Sequence, residues 1–277
     1  MKSKKLIGSS MLTLVLLFIC GGLLAQQKDK NSEFVPHVGQ AGKDVIWVPT
    51  PDALVQKMLE IAKVTPQDFV VDLGSGDGRT VIAAAKQGAN AVGIEFNKDM
   101  VELSKKKAEE AGLNGKATFL NQDLFEYDLS KATVITMFLL PEINLKLRPK
   151  LLDLKPGTRV VSNTFTMGEW KPDLEVTIDE NSSWNTALLW IVPARVNGNW
   201  KLGNSELAIN QEFQRFYGTI KDGNKTIPVS DGKLEGSNIS FKAGGVTYTG
   251  KVTNDNSITG TMLNGSTKSD FVATRTK

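Results

Sequence analysis

The chain has 277 residues, enough for one medium-sized domain and a smaller second one. Its 33 basic and 30 acidic residues nearly cancel, leaving a net charge of +3. The densest basic run, Lys105-Lys106-Lys107, lies beside Glu109 and Glu110, so the clustered basic face of a nucleic-acid binder is missing and no nucleic-acid partner is expected. A single His37 and a single Cys20 exclude a His/Cys zinc site and a Ser-His-Asp triad, and no metal is expected.

Residues 1–25 read as a signal peptide. Lys2, Lys4 and Lys5 precede the apolar run Met11 to Cys20, which is short for a membrane span, and Gly21-Gly22-Leu23-Leu24-Ala25 leads into a polar stretch. Cleavage after Ala25 leaves a mature chain without cysteine, in keeping with an oxidising compartment. Export to the periplasm or envelope is therefore expected. Lipidation at Cys20 and a retained leader that anchors the chain at a membrane are the alternatives. Lysines ahead of the apolar run put the rest of the chain outside.

Residues 26–43, with Pro36, Gly39 and Gly42, form a leader loop. Thr50 suits the N-cap and Pro51 the first position of a helix that sets Leu54, Val55, Met58, Ile61 and Ala62 on one face. Next comes an apolar strand, Phe69-Val70-Val71, that runs into Asp72. Gly74, Gly76 and Gly78 follow within five residues, before a helical run from Thr80 to Ala85. This is the opening strand, turn and helix of a nucleotide-binding α/β unit.

The cofactor class can be argued from this turn. A dinucleotide fold places glycines as G-x-G-x-x-G so that a helix N-terminus meets a pyrophosphate. Here the third glycine comes one residue early and Arg79 stands in its place, where a large side chain crowds the helix–strand approach. Asp72 and Asp77 would repel a pyrophosphate and attract a cation. S-adenosylmethionine (SAM) has no phosphate and carries a sulfonium, so the turn Gly74-Ser75-Gly76-Asp77 is read as its site. Two further strands end in acids. Ala91-Val92-Gly93-Ile94-Glu95 puts Glu95 about 20 residues past the glycines, where an acid holds both ribose hydroxyls. Ala117 to Leu124 puts Asp123 where an acid accepts the adenine amino group. Asn97 caps a helix from Lys98 to Ala111.

Strand and helix continue to alternate, with a strand over 132–139, a helix over 142–153 and a strand over 158–164. Leu174 to Ile178 and Ala187 to Val192 are expected to pair as an antiparallel hairpin. The fold class is α/β, a doubly wound, mostly parallel seven-stranded sheet over residues 44–194. From residue 195 to 277 helical periodicity stops, and short alternating runs are separated by Asp222-Gly223-Asn224, Asp231-Gly232, Ala243-Gly244-Gly245, Asn254-Asp255-Asn256 and Asn264-Gly265-Ser266. These predict a small antiparallel β domain, a meander or partial barrel of about six strands.

The segment from about Asp44 to Asp173 resembles class I SAM-dependent methyltransferases. More narrowly, it is similar to bacterial relatives of the mitochondrial lysine methyltransferases that act on the ATP synthase c subunit and the adenine nucleotide translocase. The narrower likeness rests on Trp47-Val48-Pro49-Thr50-Pro51, on Asp-Leu-Gly-Ser-Gly-Asp-Gly-Arg at 72–79, and on Phe138-Leu139-Leu140-Pro141 with Leu147-Arg148-Pro149. It implies methyl transfer from SAM to an acceptor, a protein lysine or a small molecule. It also implies a cofactor pocket including Asp72, Gly74, Ser75, Gly76, Asp77, Glu95, Asp123 and Phe138. Thr50 is expected to position the acceptor, and Glu142 is the nearest acid to take a proton. A catalytically silent exported protein whose β domain does the binding is the third reading. The chain departs from the family pattern at Ser162-Asn163-Thr164-Phe165-Thr166, where relatives often carry a histidine and acids.

Overall fold

Alternating apolar strands and amphipathic helices account for the first half of the molecule. The computed structural model describes residues 34–43, 46–179 and 183–276, so the expected signal peptide lies outside the described residues. The strands are β1 (Phe69–Leu73), β2 (Asn90–Glu95), β3 (Ala117–Asn121), β4 (Val134–Met137), β5 (Arg159–Asn163), β6 (Leu174–Thr177) and β7 (Thr186–Ile191). They form one sheet in the order β3-β2-β1-β4-β5-β7-β6. The first five run parallel, and β7 is antiparallel to both β5 and β6, as expected for the closing hairpin.

Helices α1 (Asp52–Ile61), α2 (Arg79–Lys86) and α3 (Lys98–Glu110) cover one face. Leu54, Leu59, Val81 and Val101 pack there on Val70, Ala91 and Val134. On the other face α4 (Pro141–Leu152) sets Leu147 and Leu151 against Val71, Ile135 and Val160, beside Trp170 and Trp190. Successive strand residues point to opposite faces, so strands buried on both sides read as continuous apolar runs. Asn97 caps α3 as expected, its side chain accepting from the amides of Asp99 and Met100. Thr50 does not cap α1. The N-cap is Pro51, with no side-chain hydrogen bond, because the Thr50 hydroxyl is turned to Asn163 Nδ2 at 3.3 Å.

The second half corrects the expected partial barrel. Eight strands close into a complete antiparallel barrel: β8 (Gly198–Leu202), β9 (Ser205–Glu212), β10 (Arg215–Asp222), β11 (Lys225–Glu235), β12 (Asn238–Ala243), β13 (Val246–Asn254), β14 (Ser257–Asn264) and β15 (Thr267–Arg275). The alternating run over 206–220 is two strands joined by a tight turn at Phe213, where φ is +52°. The strand around Trp200 carries too few apolar residues to stand out. Pairing of β15 with β8 through Ala273–Arg275 joins the two edge strands of the meander and so closes it. Gly250 and Gly260 face each other across β13 and β14, and a Cβ on Gly260 would lie 2.4 Å from the Gly250 Cα. That close approach lets the strands bend around a narrow barrel.

Candidate active site

Strand order reverses between β1 and β4, the place where open α/β sheets bind ligands beyond their carboxyl ends. A cavity of about 390 Å³ opens there. The loop after β1, the end of β2, the turn after β3 and the segment after β4 form its floor and sides. A strap comprising Gln40–Lys43 and Ile46–Thr50 closes the remaining wall.

In the loop after β1, Gly76 has φ +52°, and a Cβ there would lie 2.5 Å from Trp47 Nε1. Only glycine lets the strap pack this closely on the loop backbone. The Gly76 amide donates to Glu95 Oε2 at 2.9 Å and the Asn97 amide to Oε1 at 2.8 Å. Two backbone amides thus fix the Glu95 carboxylate and leave each oxygen a further lone pair, as binding of neighbouring hydroxyls requires.

Asp72 is 6% exposed and accepts a hydrogen bond from Thr136 Oγ1 of β4 at 2.6 Å. Burial pushes its carboxyl up to about 7; the Thr136 bond opposes the shift, and the charges of Glu95 and Asp77 add to it. A cation entering the cavity reverses that balance. Ser75 Oγ is buried without a protein partner, and the missing Cβ of Gly74 leaves a cradle beside Leu139 Cδ2. Asp123, two residues past β3, accepts from Lys43 Nζ at 2.6 Å and from the Phe125 amide at 2.9 Å. Those two bonds hold its carboxyl below the usual range.

Asp77 lines the cavity, but its charge is already matched. Arg79 Nε and Nη2 grip its two oxygens, each at 2.9 Å, and Lys107 Nζ donates at 2.8 Å. Burial acts to raise the Asp77 carboxyl, yet these cations hold it below its ordinary value. It is therefore an anchor for the loop rather than a free attraction for a cation, and Gly78, not Asp77, is the N-cap of α2.

Beside the cofactor residues the cavity turns aromatic. Phe138, Phe165 and Trp184 surround one opening, with ring centroids 5.2–5.9 Å apart. Phe165 reaches this place through Thr164, whose φ of +57° is an outlier for a β-branched residue. Asn144, fully buried in α4, holds the turn by donating to the carbonyls of Phe165 and Thr166, both at 3.2 Å. Strain of this kind persists where surrounding contacts over-determine it. Thr50 lies in the same wall. Glu142 does not reach the cavity: it is exposed in the first turn of α4, which explains its presence by the helix dipole instead.

The structure thus brings together Thr50, Asp72, Gly74, Ser75, Gly76, Asp77, Glu95, Asp123 and Phe138, and leaves Glu142 outside. Sequence reasoning missed Phe165 and Trp184, which come from loops without periodicity, and the role of Asn144, a buried amide within a helical pattern. Four acids and two cations line the cavity among the described residues, and both cations are paired with acids. The glycine cradle, the orphan Ser75 hydroxyl, the amide-fixed Glu95 and the buried Asp72 fit the ammonium, sulfonium and ribose of SAM. Among the described residues no group of three or more His, Cys, Asp or Glu side chains converges as a metal site.

The sequence profile of the ANTKMT methyltransferase domain matches residues 72–174, and that of a DNA methylase matches residues 27–106. A protein-lysine N-methyltransferase of Saccharolobus islandicus is 43% identical over 162 residues, which are 57% of this chain and 96% of that protein. The adenine nucleotide translocase lysine N-methyltransferase of Mus musculus is 34% identical over 140 residues, and the match spans 50% of this chain and only 56% of the mouse protein. Among solved structures, an RNA methyltransferase from Salinibacter ruber in complex with S-adenosyl-L-homocysteine is 48% identical. That match covers 54% of this chain and 96% of the other, with a TM-score of 0.51. With the cavity chemistry and these likenesses together, the chain belongs, with the Saccharolobus and Salinibacter proteins, to the SAM-dependent methyltransferases of class I fold.

Proposed function

We propose that the chain methylates the side-chain amine of a lysine in a protein acceptor. The observation that carries this reading is the aromatic opening of Phe138, Phe165 and Trp184. Such faces attract an ammonium group, and their apolar edges strip its water. Desolvation favours the neutral amine, the form that can attack. No lysine or arginine lines that side of the cavity among the described residues, so nothing there suits a phosphodiester. The Saccharolobus and mouse relatives, named for lysine, point the same way.

When bound, SAM supplies a methyl group on a sulfonium, a cation that leaves as a neutral thioether. The chain's own residues supply geometry. Glu95, fixed by two amides, and the strap hold one reactant. The aromatic opening and Thr50 hold the other on the line of attack, and such positioning provides much of the rate. The lysine proton leaves through the open side of the cavity to solvent, since no acid lines the aromatic opening itself.

A second reading has its own support, in the RNA methyltransferase name of the Salinibacter structure and the DNA methylase profile. Labelled SAM offered separately with protein, RNA and small-molecule fractions distinguishes them. Label in protein, located on Nζ of lysine by mass spectrometry after digestion, is expected. Label confined to RNA or to small molecules overturns the lysine reading.

Export remains part of the proposal and rests on residues 1–25 alone. Among the described residues no helix is long and apolar enough to cross a membrane. Fractionation of cells, with sequencing of the mature N-terminus, tests it: residue 26 at the start of an envelope-located protein is expected.

A further inference from the structure

The connection from β5 to β6 carries Phe165 into the cavity, and its one element of pairing is a bridge between Met167 and Trp170. Its backbone carbonyls are matched instead by side chains of other elements. Asn144 of α4 donates to those of Phe165 and Thr166. Arg148, one turn further along the same helix face, donates through Nη1 to the Met167 carbonyl at 2.9 Å. Trp190 Nε1 of β7 donates to the Trp170 carbonyl at 2.7 Å. The last clamp comes from the barrel, where the buried Gln214 donates through Nε2 to the Lys171 carbonyl at 2.8 Å. Gly168, with φ +65°, lets the connection lie close on α4: a Cβ there would stand 2.9 Å from Leu145 Cδ2.

Phe213, at the turn from β9 to β10, belongs to the barrel in sequence but not in packing. Its ring joins the core cluster of Leu147, Met167, Trp170 and Trp190 on the α4 face of the methyltransferase sheet. It stacks on Trp170, with ring centroids 6.1 Å apart and planes 12° apart. The Arg148 guanidinium lies 5.5 Å from the centroid of the same ring, so the group that holds Met167 is itself held by a cation–ring contact. The φ of +52° at Phe213 is an outlier for a bulky residue, like that of Thr164 at the other end of the connection. Strained positions of this kind collect at functional sites. The matching methyltransferase profile ends at residue 174, before Phe213 and Gln214.

We infer that the barrel braces the acceptor half of the active site: Phe213 and Gln214 hold the connection over 164–171, through Arg148, Trp170 and Lys171, so that Phe165 stays in the aromatic opening. Phe213 and Arg148 are positioning residues of methyl transfer, since neither lines the cavity. The catalytic consequence rests on reading that opening as the acceptor's. A reactant misplaced by about 1 Å can lose roughly a hundredfold in rate, so a brace remote from the chemistry still matters to it. The cofactor half, built on the loop after β1 and on Glu95, receives none of these contacts, so the brace acts on the acceptor and not on SAM.

The test compares the full chain with Phe213→Ala and Phe213→Tyr. Hydrogen exchange read by mass spectrometry is expected to quicken about tenfold or more over residues 164–171 in Phe213→Ala, and to stay as in the parent over 74–79. SAM affinity from calorimetry stays as in the parent, while transfer from labelled SAM to the protein fraction falls about tenfold. Phe213→Tyr keeps the stack and restores both values. Arg148→Met leaves the barrel intact and removes the guanidinium, and it gives the same pattern where Phe213→Ala does not fold. Unchanged exchange over 164–171 in a folded variant, or SAM affinity lost in step with transfer, would overturn the proposal. Phe165→Ala separates the brace from the acceptor reading: transfer at the parent's rate in that variant sinks the acceptor reading, and the exchange result still decides the brace.

Discussion

Arg79 joins two parts of the cofactor site that are far apart in sequence: its Nη1 donates to the carbonyl oxygen of Thr50 at 2.9 Å while Nε and Nη2 hold Asp77. The position that a dinucleotide fold gives to glycine here carries a planar, five-donor side chain. Its fork fits a carboxylate and still reaches the strap. The loop after β1 and the strap are consequently one unit.

Arg79→Ala should therefore damage both stability and binding. The 29% exposure of the Arg79 side chain moderates the loss, which we expect at about 1–3 kcal/mol in urea unfolding, since Asp77 keeps only Lys107. SAM affinity should fall with it as the strap loosens. Arg79→Lys should recover little, because an ammonium cannot reproduce the fork.

Asp72 gives a pH dependence with a definite sign. Its carboxyl, ordinarily near 3.8, titrates at about 7 in the folded chain. Between those values the folded state holds more protons than the unfolded state, so stability falls as pH rises across the window. A cationic ligand favours the ionised form. SAM binding at pH 6 should therefore release a proton, seen in calorimetry across buffers of different ionisation enthalpy, and affinity should climb with pH up to about 7 and then level. Asp72→Asn should remove the climb, weaken SAM and stabilise the ligand-free chain at pH 8 by about 1 kcal/mol or more.

The aromatic opening separates acceptor from cofactor. Phe165→Ala should lower kcat/KM for a protein acceptor by about tenfold or more, a loss of roughly 1.4 kcal/mol in transition-state binding, with SAM affinity unchanged. Trp184→Ala should do the same. Steady-state kinetics with the acceptor varied, beside SAM calorimetry, checks both.

Much of this could be read from the sequence because the chemistry follows strand ends. Asp72, Glu95 and the glycines announce themselves by the apolar strands before them, and the sheet order follows from strand–helix alternation. The aromatic opening could not be read, since Phe165 depends on a left-handed Thr164 and Trp184 on a loop between β6 and β7. Asp77 misled because an acid beside a glycine turn looks available, whereas its partners Arg79 and Lys107 come together only in the fold. The barrel closed with two more strands than its turn signals suggested, because the short β8, Gly-Asn-Trp-Lys-Leu, has little alternation to detect and because β9 and β10 read as one run over 206–220.

Calorimetry of SAM binding to the chain and to Glu95→Ala tests the central claim most directly. Micromolar affinity, about −8 kcal/mol, reduced at least about tenfold in the variant, is the predicted result. Absence of binding by a folded protein, or equal affinity in folded Glu95→Ala, would contradict the account.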